Sequence, residues 1–142
     1  RTLIMKPRFV VCDEPTSMLD VSIRISIMDL MLNLAKDLEV SYLYITHDLA
    51  VARYMCNRIA VMFNGKIVEI AETEELLKNP IHPYTKRLIS SIPVPDPTYE
   101  RVVYDIDFTE LDNIISTDTE NTGMVDIGNE HFVATHDVKG IL

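Results

Sequence analysis

At 142 residues, 47% of them hydrophobic and 25% charged, the chain is long enough for one packed domain or for part of a domain with a tail. The net charge of −9 is uneven, because residues 1–100 carry 11 Lys/Arg against 13 Asp/Glu and residues 101–142 carry 2 against 9. This acidic balance argues against nucleic acid as a general partner. The longest apolar stretch, residues 21–35, is interrupted by Arg24 and Asp29, which argues against a membrane-spanning helix.

The first half of the chain alternates predicted strands with predicted helices. A continuous apolar run, Phe9–Cys12, indicates a strand buried on both faces. Apolar residues at spacings of three and four then predict an amphipathic helix to about Asp37, with Asp20 placed to cap it. The β-rich run Ser41–Thr46 predicts a second strand, and "DLAVARYMC" predicts a second helix. Strand, helix, strand, helix is typical of a parallel sheet with crossover helices.

The second half carries signals for a hairpin, two helices and a boundary. The segment "RIAVMFNGKIVEIAE" has two β-rich arms around Asn64-Gly65, a dipeptide typical of two-residue hairpin turns. "TEELLKN" predicts a short helix stopped by Pro80, and "PYTKRLISSI" predicts a helix that opens on Pro83. The block Pro93–Thr98 indicates a boundary, and "HFVATHDV" predicts a short strand in the tail. The predicted fold is therefore α/β, with a first domain at residues 1–92 and an acidic C-terminal extension at residues 93–142.

The two cysteines, Cys12 and Cys56, lie in apolar surroundings without the spacing of a metal site or a disulfide pair. We expect both to be reduced thiols of the core in a cytosolic protein. A disulfide between them is the less favoured alternative.

Ionisable side chains follow both predicted strands at the point where each strand ends. Asp13 and Glu14 come directly after the first strand, and His47 follows the second. Because α/β sheets bind ligands at the carboxyl ends of their strands, we expect these side chains to share one site. Asp13 can hold Mg²⁺ through water, Glu14 can orient or deprotonate an attacking water, and His47 can hydrogen-bond a terminal phosphate. Taken singly, the features have simpler interpretations: a turn, a capping or core histidine and, for Asp20, a helix cap.

Together these motifs resemble those of a known family. "VVCDEPTSMLD" followed by "YLYITHDLA" resembles the Walker B segment, D-loop and H-loop of ABC-transporter ATPases. "RIAVMFNGKIVE", "NPIHPYTKRLISSIPVPDP" and the closing "MVDIGNEHFVATHD" are similar to segments of the ATP-binding subunits of oligopeptide and dipeptide ABC importers. The resemblance implies that residues 1–92 form the C-terminal half of the nucleotide-binding fold and that residues 93–142 form an irregular extension.

The resemblance also implies a role for each candidate residue. Asp13 corresponds to the Walker B aspartate that holds magnesium, Glu14 to the catalytic glutamate and His47 to the switch histidine. Ser17 and Asp20 bound the D-loop, which crosses to the partner subunit and helps to complete the nucleotide site. In the intact protein the cofactors would be ATP and Mg²⁺.

Some family motifs do not occur in this sequence. The Walker A loop, the Q-loop and the signature motif are absent, and no G-x-x-x-x-G-K-[ST] can be formed from only four glycines. Without the backbone cradle and lysine of the Walker A loop, we expect the chain alone neither to bind ATP well nor to hydrolyse it. Met18 also stands where the family usually has Ala, a change that could alter the dimer contact.

The tail departs from the family as well. Many importers of this type carry several cysteines there, which suggests an iron–sulfur cluster. Here Thr135 stands where a cysteine is usual and no cysteine follows Cys56, so we expect no cluster. A metal site of His131, His136 and Asp137 is disfavoured, because the two histidines would lie on opposite faces of a strand.

The implied function is ATP hydrolysis that energises import of peptides or similar small solutes. The implied partners are a second ATPase subunit, identical or different, the membrane permease subunits and, indirectly, an extracytoplasmic solute-binding protein. The implied location is peripheral, on the cytoplasmic face of the cell membrane. Two alternatives stay open: a non-catalytic fragment that acts as a dimerisation or interaction module, and a DNA-repair or chromosome-structural ATPase. The second alternative would add long coiled coils or a basic surface, and the sequence has neither.

Overall fold

The computed structural model describes residues 7–91 and 123–134, which form a mixed α/β fold with a parallel and an antiparallel sheet. The chain separates into two compact units, residues 1–56 and residues 57–142. The predicted boundary at Pro93–Thr98 lies outside the described residues. None of the helices in the described ranges combines the length and the hydropathy that a membrane crossing needs. The elements are β1 (Phe9–Asp13), α1 (Val21–Leu38), β2 (Ser41–Ile45), α2 (Leu49–Met55), β3 (Arg58–Phe63), β4 (Lys66–Glu72), α3 (Thr73–Lys78), α4 (Pro83–Ser90), β5 (Met124–Asp126) and β6 (Phe132–Ala134).

In the first unit, β1 and β2 form the predicted parallel pair. Their register runs from Phe9 opposite Ser41 to Asp13 opposite Ile45, so both strands end at the same edge. Parallel neighbours need a long connection, and the 18-residue helix α1 supplies it.

One face of this pair is exposed, which corrects the prediction of a strand buried on both faces. Along β1 and along β2, exposed residues alternate with half-buried ones, as in a sheet covered on one side only. The exposed apolar side chains are Phe9 (57%), Val11 (56%), Leu43 (50%) and Ile45 (46%). The apolar run therefore identified the strand correctly, but the described residues cover only one of its faces.

Helix α1 begins after Asp20 and ends at Leu38. Asp20 occupies the N-cap position, as predicted, yet its side chain makes no capping hydrogen bond. At the other end, Glu39 adopts a left-handed conformation with φ 52° and donates its backbone N–H to the carbonyl of Ala35. A left-handed residue of this kind is a common way to satisfy the last turn of a helix.

Helix α2 is tied to α1 by side-chain contacts. The Tyr54 hydroxyl donates a 2.5 Å hydrogen bond to Asp29, and this bond raises the pKa of Tyr54. The buried apolar residues of the first unit are Met28, Val40, Leu49, Val51 and Ala52.

In the second unit, β3 and β4 form the predicted antiparallel hairpin. Asn64 and Gly65 at its turn have φ values of 47° and 75°. A two-residue turn that follows the twist of its strands needs positive φ at both central positions, which favours this Asn-Gly pair.

A β-bulge interrupts the hairpin. The register passes from Val61 opposite Glu69 to Met62 opposite Ile67, so Val68 has no partner on β3. Such a bulge re-aims the side chains that follow it. As a result two successive residues of β4 are buried, Val68 at 2% and Glu69 at 0% exposed.

The described part of the tail extends this hairpin into a sheet of order β3-β4-β6-β5. The strand predicted in "HFVATHDV" is confirmed as β6, which pairs antiparallel with β4, and β5, which was not predicted, pairs with β6. At the β5–β6 turn, Gly128 has φ 108° and donates its N–H to the Asp126 carboxylate at 2.9 Å. The apolar core of the second unit includes Val68, Ala71, Leu76, Val133 and Ala134.

Helices α3 and α4 are present where the sequence predicts them. α3 ends at Lys78, before Pro80. At its other end, Glu72 occupies the N-cap position and makes no side-chain capping hydrogen bond. α4 opens with Pro83 at its first position. The His82 side chain caps α4 by accepting the backbone N–H of Tyr84 at 3.1 Å.

A buried carboxylate joins three segments of this unit. Glu69 Oε1 accepts the backbone N–H of Ile81 at 2.8 Å, and Oε2 accepts that of His82 at 3.1 Å. His131 Nε2 lies 2.7 Å from Oε1 of the same carboxylate, with the imidazole 3% exposed. Glu69 thus holds both the segment before α4 and the start of β6.

Candidate functional site

The carboxyl end of β1 carries the two predicted carboxylates. Asp13 is the last residue of the strand, opposite Ile45 of β2. Glu14 continues the ladder by donating its backbone N–H to the Ile45 carbonyl at 2.9 Å, but its φ is +42°. A left-handed conformation is strained for a residue other than glycine. The chain therefore turns sharply at Glu14, so that Glu14 leaves the alternation of the strand.

His47 lies beside Glu14, as the parallel register predicts. The His47 Nδ1 atom is 2.8 Å from Glu14 Oε1, and the two side chains are 75% and 44% exposed. This distance is that of a hydrogen bond between the imidazole and the carboxylate. The contact fixes the imidazole and the carboxylate in one orientation at an accessible edge of the sheet.

The loop that carries His47 is braced by the residues on either side of it. Thr46 Oγ1 accepts the backbone N–H of Asp48 at 3.0 Å. Asp48 Oδ1 in turn accepts the N–H groups of Ala50 and Val51, at 2.9 and 3.4 Å, and so caps α2. His47 is thus held between a strand end and a capped helix start.

The predicted D-loop residues occupy the turn that follows Glu14. Ser17 donates its hydroxyl to the Glu14 carbonyl at 3.0 Å, which ties it to the catalytic candidate. Met18 is 95% exposed, and Asp20 is exposed at the start of α1. The structure therefore links Glu14 by hydrogen bonds to His47 and to Ser17. Among the described residues, the Asp13 and Asp20 side chains form no hydrogen bond or ion pair with these three.

Sequence reasoning missed three residues that shape this turn. Thr16, only 3% exposed, shares a 2.9 Å hydrogen bond with the hydroxyl of Tyr44 on β2. Arg24 of α1 donates from Nη2 to the Leu19 carbonyl at 3.4 Å, and its Nη1 lies 3.6 Å from Asp48. Thr16 belongs to the quoted motif, but a hydroxyl pair 28 residues apart leaves no local signal in the sequence.

The carboxylates suit a hard cation that arrives with phosphate oxygens. Within the described ranges, no three His, Cys, Asp or Glu side chains cluster closely enough to hold a metal ion by themselves. Mg²⁺ is commonly held by one or two carboxylates, water and substrate phosphates, and the exposed Asp13 at the strand end fits that donor set. His131 pairs instead with the buried Glu69, while His136 and Asp137 lie outside the described residues.

Neither cysteine belongs to this constellation. Cys12 and Cys56 are half-buried and form no disulfide with each other. Burial raises the pKa of each thiol above its ordinary value. A raised pKa reduces the thiolate fraction, so neither residue is a reactive nucleophile near neutral pH.

Comparison with known proteins agrees with the motifs. The family described as "Oligopeptide/dipeptide transporter, C-terminal region" matches residues 68–112. The chain is 47% identical over 137 residues to the oligopeptide transport ATP-binding protein AmiF of Streptococcus pneumoniae serotype 4, covering 94% of the chain and 42% of AmiF. It is 52% identical over 101 residues to OppF of Bacillus subtilis, covering 71% of the chain and 33% of OppF.

A third relative is the dipeptide transport ATP-binding protein DppF of Lactococcus lactis subsp. cremoris. The identity is 50% over 109 residues, which cover 74% of the chain and 35% of DppF. The chain thus spans less than half the length of each of these curated relatives. The chain thus matches the C-terminal region of the ATP-binding subunits of oligopeptide and dipeptide transporters.

Proposed function

We propose that this chain supplies the carboxylates and the histidine of an ATP-hydrolysing site, in a subunit that energises import of peptides or similar small solutes. One observation carries the proposal: the 2.8 Å contact between Glu14 and His47 at the shared edge of two parallel strands. The similarity to oligopeptide and dipeptide transport ATP-binding proteins supports the same function.

In the proposed reaction, Glu14 orients and deprotonates the water that attacks the terminal phosphate. His47 Nδ1 faces Glu14 at 2.8 Å, which leaves Nε2 as the ring nitrogen that would meet a phosphate oxygen. A proton on Nε2 would let the same ring donate a hydrogen bond to that oxygen. One hydrogen bond thus sets the base and the phosphate-binding group relative to each other.

The other predicted residues have supporting roles in this proposal. Asp13 would hold Mg²⁺, through water, and the ion when bound neutralises phosphate charge. Ser17 and Asp20 would reach the partner subunit from the exposed turn that also carries Met18. The absence of a capping bond leaves the Asp20 carboxylate available for that contact.

The wider assignments follow from the same family. We infer that residues 1–92 form the C-terminal half of the ABC nucleotide-binding fold and that residues 93–142 form its extension. The proposed partners are a second ATPase subunit, the membrane permease and, indirectly, a solute-binding protein, with the subunit on the cytoplasmic face of the membrane. Because the 142 residues contain no Walker A loop, the chain alone is expected not to hydrolyse ATP.

The test is Glu14→Gln in the intact ATP-binding protein that contains this sequence. Glutamine keeps the size of the side chain but cannot act as a base, so turnover should fall by roughly 10²- to 10⁴-fold while ATP binding persists. Glu72→Gln makes the same charge change at an exposed residue of β4 and should leave turnover unchanged. Turnover that survives Glu14→Gln would contradict the proposal. Mg-ATP hydrolysis by the purified 142-residue chain would contradict the expectation that the chain alone is inactive.

A second candidate function, a module that associates without hydrolysis, is favoured by the exposed apolar face of β1 and β2. Four large apolar side chains on one sheet face are the kind of surface that marks an interaction site. Sedimentation of the 142-residue chain over a range of concentrations tests this candidate. Association weakened by Val11→Ser would support it, whereas a monomer at every concentration would exclude it.

A further inference from the structure

The turn Thr16–Asp20, between β1 and α1, is held at its first residue by a hydrogen bond to β2. Thr16 is buried, and its hydroxyl meets the Tyr44 hydroxyl at 2.9 Å. Tyr44 lies on β2 three residues before His47, so the bond joins the turn to the strand that leads into the histidine loop. Breaking it would leave the buried Thr16 hydroxyl without its partner, which is costly.

Near its other end, at Leu19, the same turn is held by a hydrogen bond from Arg24. The guanidinium of Arg24 donates to the Leu19 carbonyl at 3.4 Å and lies 3.6 Å from the Asp48 carboxylate. Asp48 directly follows His47 and caps α2. A planar guanidinium can reach two acceptors at once, and here one acceptor belongs to the turn and the other to the histidine loop.

We propose that Tyr44 and Arg24 are positioning residues, which keep the turn Thr16–Asp20 in register with the loop that carries His47. One attachment joins the turn to β2, the strand that leads into this loop, and the other joins it through Arg24 to Asp48 in the loop itself. The exposed Met18 lies between the two attached residues of the turn. Through these contacts, a displacement of His47 would be passed to the surface offered to a partner subunit. This inference rests on the proposed ATPase function, which neither residue performs itself.

The attachment can be measured without ATP, by hydrogen exchange of the 142-residue chain. The Ser17 and Leu19 amides donate within the turn, to the carbonyls of Glu14 and Thr16, and report on its order. Loss of one hydrogen bond should speed their exchange roughly five- to tenfold in Tyr44→Phe and in Arg24→Gln. Unchanged exchange in both variants would overturn the inference.

Each variant has a matched control. Tyr42→Phe removes a hydroxyl from the same face of β2, where the described residues offer it no hydrogen-bond partner. Lys36→Gln removes an exposed cation from the last turn of the same helix, α1. Neither control should change exchange of the turn, and a change equal to that of the test variants would also overturn the inference.

The positioning role is then tested by turnover in the intact ATP-binding protein. Tyr44→Phe and Arg24→Gln should lower kcat about tenfold with KM for ATP within twofold, because misplacement affects the reacting groups more than nucleotide binding. Arg24→Lys should recover part of the loss, since lysine keeps the charge but not the fork. The kcat values are compared under conditions in which urea unfolding curves show each variant to be fully folded, so that a lower kcat is not a loss of folded protein.

The outcomes distinguish the positioning role of Tyr44 and Arg24 from the proposed ATPase function. Faster exchange of the turn with unchanged kcat would reduce both contacts to structural ones and overturn the inference. A wild-type protein without ATPase activity would overturn the proposed function, while the exchange measurement would still decide whether the turn and the histidine loop are coupled. Faster exchange together with a lower kcat at constant KM supports the inference.

Discussion

Glu69→Gln is expected to detach the segment before α4, because the buried carboxylate of Glu69 is an acceptor for two of its backbone N–H groups. An ionised carboxylate offers acceptors on both oxygens, whereas an amide offers one oxygen and one NH₂ group. Ile81 and His131 meet Oε1, and His82 meets Oε2. The amide oxygen can replace only one of the two carboxylate oxygens, so either the Ile81 N–H or the His82 N–H is left facing another donor.

The cost follows from burial and charge. Glu69 is 0% exposed, so no water can replace the lost acceptor. A hydrogen bond to a charged group contributes about 1.5–3 kcal/mol, and a buried donor without a partner costs about 1–3 kcal/mol. The two energies overlap, because both count the same lost hydrogen bond, and they are therefore not added. We expect a local destabilisation of about 2–3 kcal/mol.

Hydrogen exchange of the Ile81 and His82 amides is the direct assay. A local destabilisation of about 2–3 kcal/mol corresponds to roughly 30- to 150-fold faster exchange in Glu69→Gln. Glu72→Gln, on the same strand but exposed, serves as the control and should change exchange of this segment less than about twofold. If Glu69→Gln left both amides as protected as in wild type, the carboxylate would not be what holds this segment.

Three further predictions concern the turn of the hairpin, the cap of α2 and the cysteines. Gly65→Ala should lower the free energy of unfolding by about 1 kcal/mol in urea titrations, because φ is +75° although space for the methyl group exists; an unchanged midpoint would refute this. Asp48→Ala should cost about 1 kcal/mol by removing both capping bonds of α2, whereas Asp48→Asn should cost less since asparagine also caps; equal losses would argue against the cap. Maleimide labelling of Cys12 and Cys56 should be slower than that of a small thiol at pH 8 and should still rise steeply toward pH 9, because burial raises the pKa of both and so lowers the thiolate fraction. A labelling rate that levels off below pH 8 would contradict the raised pKa values.

The parallel pair and its site could be predicted from the sequence because their signals are local. A short apolar run, an amphipathic helix and a second β-rich run leave few arrangements other than a crossover unit. Once the strands are parallel and adjacent, Glu14 and His47 must end at the same edge, and the structure places them in contact. The Asn64-Gly65 turn was predictable for the same reason, because the turn type itself requires those residues.

The features that could not be predicted depend on contacts between distant residues. Pairing of β6 with β4 sets Val133 opposite Glu69, and no local pattern encodes that partnership. A glutamate in a β-rich run is ordinarily assigned to the solvent face, since buried carboxylates are rare unless paired. The bulge at Val68 turns Glu69 inward, and only the donors contributed by Ile81, His82 and His131 make that position tolerable.

The left-handed backbone of Glu14 has a consequence for how this sequence can evolve. With φ at +42°, the position suits glycine or asparagine better than glutamate, and such strain costs about 1–3 kcal/mol. Selection for thermal stability alone should therefore enrich Gly or Asn at position 14 and discard the carboxylate. Selection for the ATPase function proposed above should keep glutamate against that pressure. In a large mutant library, the residue selected at position 14 would thus show whether the selection acted on stability or on the ATPase function.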